Sequence, residues 1–219
     1  MRMRRKPNLV SRTERCAHLL IEYPKELRGR WLEEYNAQSE AHACELHVEL
    51  GCGKGRFTVK TAKNEPSALL VALEKISNVL VIALERTEQE QLQNVRYVNK
   101  LADYLDEYFA DNEVDRIYIN FCDPWSANRH KKRRLTGEIF LELYKKVLRS
   151  GGEIHFKTDN LPLFEFSLLE FERCGFAVSQ VTRNLHEHGT VGVMTDYEKK
   201  FHEQGMPINR CVATKGSVN

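Results

Sequence analysis

The stretch Glu49-Leu50-Gly51-Cys52-Gly53-Lys54-Gly55 sets three glycines at alternate positions behind an apolar run. Such spacing suits a tight strand-to-helix turn whose backbone a ligand can approach closely. It is not the dinucleotide fingerprint, because G-x-G-x-x-G needs a glycine where the chain has Arg56. Nor is it a Walker loop, since Lys54 lies inside the glycine run and no Ser or Thr follows it. The informative residue is Glu49, because a carboxylate aimed into this turn repels a pyrophosphate and attracts an ammonium group. S-adenosylmethionine carries one on its amino-acid tail. Glu74 lies 23 residues after Gly51 at the end of the next apolar run, where an acid can accept both ribose hydroxyls of an adenosine. Together the two features point to an S-adenosylmethionine site.

A second group follows the apolar run 116–121. Asn120-Phe121-Cys122-Asp123-Pro124-Trp125 combines a carboxylate, a proline that fixes chain direction and an indole that can pack or stack. Close behind comes Arg129-His130-Lys131-Lys132-Arg133-Arg134, a run suited to phosphate contacts. Thr158-Asp159 ends a later apolar run and offers an acceptor for a base or ribose. Thr195-Asp196-Tyr197-Glu198 has the spacing of a capping box, Thr195 as N-cap and Glu198 reciprocating. A capped helix start also presents donors and carboxylates to a ligand, so the structural and the binding readings are compatible.

These residues need a scaffold that brings them to one edge. From residue 46 onward, short apolar runs alternate with helical-period segments, the pattern of βα units around a mainly parallel sheet. Strands are expected at 46–50, 68–73, 95–98, 116–121, 153–158, 176–182 and 209–214. Helices are expected at 56–64, 77–92, near 103–109, at 135–148 with Gly151-Gly152 as a stop, and at 161–174. In a doubly wound sheet the first and fourth strands meet at the switch point, so Asp123 and the glycine loop share one crevice. Residues 1–45 read as a basic arm and an irregular extension, and 46–219 as the cofactor-dependent domain.

The 219 residues, 42% hydrophobic and 29% charged, describe a soluble globular chain able to bury about 70% of its unfolded surface. The longest apolar stretch, 69–84, is broken by Glu74, Lys75, Ser77 and Asn78 and falls short of the roughly 18 residues of a membrane helix. No apolar region follows the basic start, so a cytoplasmic location without a secretory signal is expected. Six cysteines without a Cys-x-x-Cys pair, and histidines with only His186 and His188 close together, imply no metal site and reduced thiols. Nine basic residues fall in two acid-free runs, Arg2, Arg4, Arg5 and Lys6, and Arg129, Lys131, Lys132, Arg133 and Arg134. The rest of the chain holds 24 basic against 31 acidic residues, so an acidic body carries two concentrated patches suited to a polyanion.

Taken together, the motifs resemble the bacterial tRNA (guanine-N7)-methyltransferases over 49–210 and the basic N-terminus. The most specific element is Asp123-Pro124-Trp125 followed by Arg129-His130-x-Lys132-Arg133-Arg134. The resemblance implies a Rossmann-like α/β class I methyltransferase, with helices on both faces of a mainly parallel seven-stranded sheet. It implies transfer of the methyl of S-adenosylmethionine to N7 of guanosine-46 in the tRNA variable loop. The family's cofactor positions fall on Glu49, Glu74, Leu101 and Asp123, beside Gly51 and Gly53 of the loop. Its catalytic position falls on Asp123, where the acid would position the guanine. Its RNA-contacting segment covers Arg129, His130, Lys131, Lys132, Arg133 and Arg134, and its substrate positions Ala127, Asp159, Thr195, Asp196, Tyr197 and Glu198.

Two departures stand out: Leu101 replaces an acidic or amide residue at the adenine position, and Ser126-Ala127 replaces Pro-Lys. A methyltransferase acting on another RNA or on a protein uses the same motifs. Those departures lend some weight to an RNA-binding module without catalysis. The missing third glycine argues against a nicotinamide oxidoreductase. Monomer and homodimer are both compatible with the sequence.

Overall fold

Apolar runs punctuated by glycines and helical-period segments form the alternating units expected of them. The computed structural model describes residues 7–216; Arg2, Arg4, Arg5 and Lys6 lie outside the described residues. In chain order the elements are α1 (Leu9–Arg15), α2 (Trp31–Gln38), β1 (Glu45–Leu50), α3 (Arg56–Asn64), β2 (Ala68–Leu73), α4 (Ser77–Gln89) and β3 (Val95–Val98). There follow α5 (Leu105–Tyr108), β4 (Val114–Asn120), α6 (Glu138–Val147), β5 (Leu148–Thr158), α7 (Leu161–Arg173), β6 (Phe176–Thr182), α8 (Asp196–Glu203) and β7 (Asn209–Lys215). The seven strands lie in one sheet in the order β3-β2-β1-β4-β5-β7-β6. All neighbours are parallel except β7, which runs antiparallel to both β5 and β6.

Strand alternation divides the two faces. Leu46, Val48 and Leu50 of β1, with Ile117 and Ile119 of β4, join the larger core with Phe140, Tyr144, Phe156 and Phe164. The opposite positions of β1 are His47 and Glu49, beside Tyr118 and Asn120 of β4, so this face of the strand pair is the more polar one. Helices α3 and α4 cover the β2 and β3 end of that face with Phe57, Leu80, Ala83 and Leu84, packed on Leu70, Ala72 and Tyr97. β2 is buried on both faces, as a central parallel strand should be.

Several boundaries differ from expectation. The helix expected at 135–148 begins only at Glu138, because Thr136 is buried and its hydroxyl pairs with Ser167 at 2.7 Å. β5 begins at Leu148, so Gly151-Gly152 lies inside a strand and does not stop the helix. Gly152 permits a close passage there, since a Cβ would sit 2.9 Å from the Arg149 carbonyl oxygen. The extension before β1 belongs to the core: Trp31 stacks on Phe109 at 5.4 Å and its indole N–H donates to the Tyr108 carbonyl at 2.9 Å. Among the described residues no helix is long and apolar enough to cross a membrane.

Candidate active site

The strand order reverses between β1 and β4, and the loops leaving their carboxyl ends meet at that switch point. After Leu50 the chain turns through Gly51 and Gly53, whose φ angles of 77° and 57° would strain any other residue. A Cβ on either would meet nothing within 4 Å, which leaves room for a ligand against the backbone. Gly55 has a different reason, since its Cβ would come within 2.6 Å of the Ala83 Cβ where α3 packs on α4. The Glu74 carboxylate accepts from Gly53 N at 3.1 Å and Ile76 N at 2.9 Å. Each of its oxygens keeps a lone pair that can receive a ribose hydroxyl.

Glu49 lies buried beneath this loop and accepts from Thr58 Oγ1 at 2.5 Å and Asn120 Nδ2 at 3.5 Å. Burial pushes its carboxyl up to about 7, against the opposing pull of Thr58, Asn120 and the Lys157 charge. Asn120 is 8% exposed, and its Oδ1 has no hydrogen-bond partner among the described residues. A buried acceptor without a donor, beside a buried carboxyl and open glycine backbone, fits the ammonium tail of S-adenosylmethionine.

The raised Glu49 carboxyl makes stability depend on pH. Between its ordinary value of 4.5 and about 7 the folded state binds more protons than the unfolded one, so this contribution falls as pH rises through that window. Glu49→Gln has no proton to lose. Its stability relative to the natural chain is expected to improve by on the order of 3 kcal/mol between pH 4 and 8, read from urea melts at each pH.

The loop carrying Asp123 is held under strain. Phe121 and Trp125 have φ angles of 53° and 43°, a left-handed conformation that costs a bulky residue about 1–3 kcal/mol. Phe121 N donates to the Lys157 carbonyl at 2.9 Å, tying the loop to β5. Between the two strained residues Asp123 is exposed, and its carboxylate accepts no hydrogen bond among the described residues. Asp159, half-buried just after β5, is equally open. Neither neighbouring cysteine supplies a nucleophile. Burial, with the Asp123 charge, pushes the Cys122 thiol up to about 12, and burial also raises Cys52 far above its usual range.

The expected capping box is present: Glu198 N donates to Thr195 Oγ1 at 2.9 Å, and Thr195 N to Glu198 Oε2 at 3.2 Å. Glu198 is nonetheless 0% exposed. It accepts from Lys157 Nζ at 2.7 Å and pairs with His186 Nε2 at 2.9 Å. His186 Nδ1 accepts from Val191 N at 3.1 Å, so in the neutral ring Nε2 carries the proton and donates to Glu198. Lys157 Nζ also donates to the Val193 carbonyl at 2.8 Å, so two buried groups pin the segment leading into α8. Asp196 pairs with Arg86 at 2.6 Å, and Arg86 donates to the Lys54 carbonyl at 3.0 Å, joining α8 to the glycine loop. Tyr197 points outward, 63% exposed, with its ring stacked 6.3 Å from Phe121.

The residues singled out in the sequence thus separate by what they touch. Asp123, Asp159 and Tyr197 keep their polar side-chain atoms free of hydrogen bonds among the described residues, whereas Glu49, Asp196 and Glu198 already hold protein partners. Leu101 and Ala127 are exposed. Within the basic run, Arg129, Lys131, Lys132 and Arg133 are exposed and His130 is half-buried. Arg133 lies over the Trp125 ring at 4.9 Å. Arg134 turns inward and is only 8% exposed. The sequence reading assigns no site role to Thr58, Asn120, Arg86, Lys157 or His186. Only Asn120 and Lys157 carried a signal, as polar residues ending apolar strands.

The model of the Methyltransf_4 methyltransferase family matches residues 43–211, and this is the family of the tRNA (guanine-N7)-methyltransferases. The chain belongs to that family. Its fold is also that of class I methyltransferases of known structure. The 16S rRNA methyltransferase KamB shares 16% identity at a TM-score of 0.63, over 84% of this chain and 92% of its own. An rRNA methylase from Streptococcus thermophilus shares 14% at 0.54, over 84% and 95%. A precorrin-6y C5,15-methyltransferase from Geobacter metallireducens GS-15 shares 16% at 0.55, over 84% and 87%. Substrates that different on one fold mean that the fold does not choose the substrate, and the site must.

Proposed function

We propose that this methyltransferase moves the methyl of S-adenosylmethionine to N7 of guanosine-46 in the tRNA variable loop. The observation that carries the reading is the exposed, unpartnered Asp123 carboxylate at the switch point, beside a rim of exposed Arg and Lys side chains. When bound, S-adenosylmethionine supplies an electrophilic methyl on a sulfonium. Glu49 and Asn120 would hold its ammonium group, and Glu74 its ribose.

The remaining work falls to the crevice. Guanine N7 has an in-plane lone pair and no proton, so no general base is needed and catalysis reduces to alignment and electrostatics. Asp123, with Asp159, accepts from N1–H and the 2-amino group, which turns N7 toward the methyl. The carboxylates also offset the positive charge that the methylated base acquires. Tyr197 offers a flat, exposed ring on which an extruded base can stack. The basic rim holds the tRNA backbone without reading its sequence. A non-catalytic RNA-binding role is disfavoured by the same features, since a binder has no use for an acceptor pair buried under a cofactor loop.

The test is methyl incorporation from S-adenosylmethionine into unmodified tRNA and, separately, into 16S ribosomal RNA. Incorporation into tRNA alone is expected. Incorporation into ribosomal RNA alone would overturn the substrate assignment.

A further inference from the structure

The last two arginines of the basic run look interchangeable in sequence but make opposite kinds of contact. Arg133 is exposed and lies over the half-buried Trp125 ring at 4.9 Å. Arg134 is buried, and its Nε donates to the Pro124 carbonyl at 3.0 Å while a terminal nitrogen donates to the Trp125 carbonyl at 3.2 Å. Its guanidinium also sits 4.3 Å from the centroid of Phe166 on α7. The two carbonyls follow Asp123 directly, and the second belongs to a residue in the left-handed region. A strained turn persists only where its surroundings over-determine it. Phe121, bonded through its N–H to the Lys157 carbonyl, fixes the entry to the turn, and Arg134 fixes the exit.

We propose that Arg134 is a positioning residue and not an RNA contact: its guanidinium fork latches the strained Asp123 turn to α7 and so holds the Asp123 carboxylate toward the substrate. The proposal rests on the tRNA-methyltransferase reading for its kinetic consequence, but the latch itself is independent of substrate. A planar fork bonds two adjacent carbonyls from one side, and an ammonium of the same charge does not reproduce that geometry. Arg134→Lys therefore separates charge from latch.

The full-length natural chain, Arg134→Lys and Arg133→Ala are compared in three measurements. In methyl transfer to tRNA, Arg134→Lys is expected to lower kcat at least tenfold, with the affinity for tRNA and its salt dependence unchanged. Arg133→Ala is expected to weaken tRNA binding and to reduce its log–log salt slope by roughly 0.7–0.9 for one lost phosphate contact. Acrylamide quenching of tryptophan emission reports on Trp125, since Trp31 is buried in the core. Quenching is expected to rise at least twofold in Arg134→Lys and needs no substrate. Unchanged quenching in Arg134→Lys overturns the latch whatever the tRNA result. Increased quenching in a protein whose natural form methylates no tRNA supports the latch and overturns only the substrate assignment. A kcat equal to that of the natural chain in Arg134→Lys overturns the positioning role.

Discussion

Asp123→Ala is expected to lower methyl transfer to tRNA by about 100-fold or more while leaving the affinity for tRNA within twofold. The magnitude is that of removing one preorganised electrostatic partner from an active site, about 10²–10³ in turnover. The separation of turnover from binding follows from the geometry. The proposed tRNA contacts are exposed cations, Arg129, Lys131, Lys132 and Arg133, none of which is bonded to Asp123. The carboxylate also has no partner among the described residues whose loss would disturb the fold. Single-turnover rates at saturating tRNA, with filter-binding affinities measured in parallel, check the result. An equal loss of rate and affinity would assign Asp123 to binding.

Glu198→Ala is expected to act through stability first. Removing the carboxylate leaves Lys157 with one acceptor, the Val193 carbonyl, in a buried site, and strips His186 Nε2 of its acceptor. Burial already pulls the Lys157 ammonium below its ordinary range, and the Glu198 charge is the largest influence holding it up. Breaking one side of a buried ion pair typically costs about 3–5 kcal/mol. For a chain of this length that lowers Tm by roughly 6–20 °C, at about 2–4 °C per kcal/mol. Lys157→Met combined with Glu198→Leu leaves no unpaired charge and is expected to recover most of the loss. Calorimetry of the natural chain and both variants decides the matter. A single variant as stable as the natural chain would show that the carboxylate has no structural role.

How much of this was readable in advance depends on whether the deciding contact is local. Glycine spacing around Gly51 and Gly53 announces a turn, and the apolar runs announce strands, because backbone freedom and period-2 burial are written over a few residues. The capping box at Thr195 and Glu198 was legible for the same reason. Its other half was not: the partners that bury Glu198 lie 41 residues away at Lys157 and 12 away at His186. A glutamate in a capping position reads alike whether it faces solvent, ligand or a buried lysine. The same limit separates Arg133 from Arg134. Both belong to one charge run, and only the left-handed turn at Trp125 brings two carbonyls to the second of them. β5 was misjudged at its start because Gly151-Gly152 reads as a helix stop unless the crowding by Arg149 and Asp115 is known.

The proposed methyl acceptor is one guanine nitrogen in the tRNA variable loop. Its most direct test offers labelled S-adenosylmethionine to an unmodified tRNA and to a matched tRNA in which the variable-loop guanosine is adenosine. Reduction and aniline treatment then map any N7-methylguanosine. Label on the first tRNA alone, with one chain break at that guanosine, is expected. Equal label on both tRNAs, or label on the first without a break there, would contradict the assignment to that nitrogen.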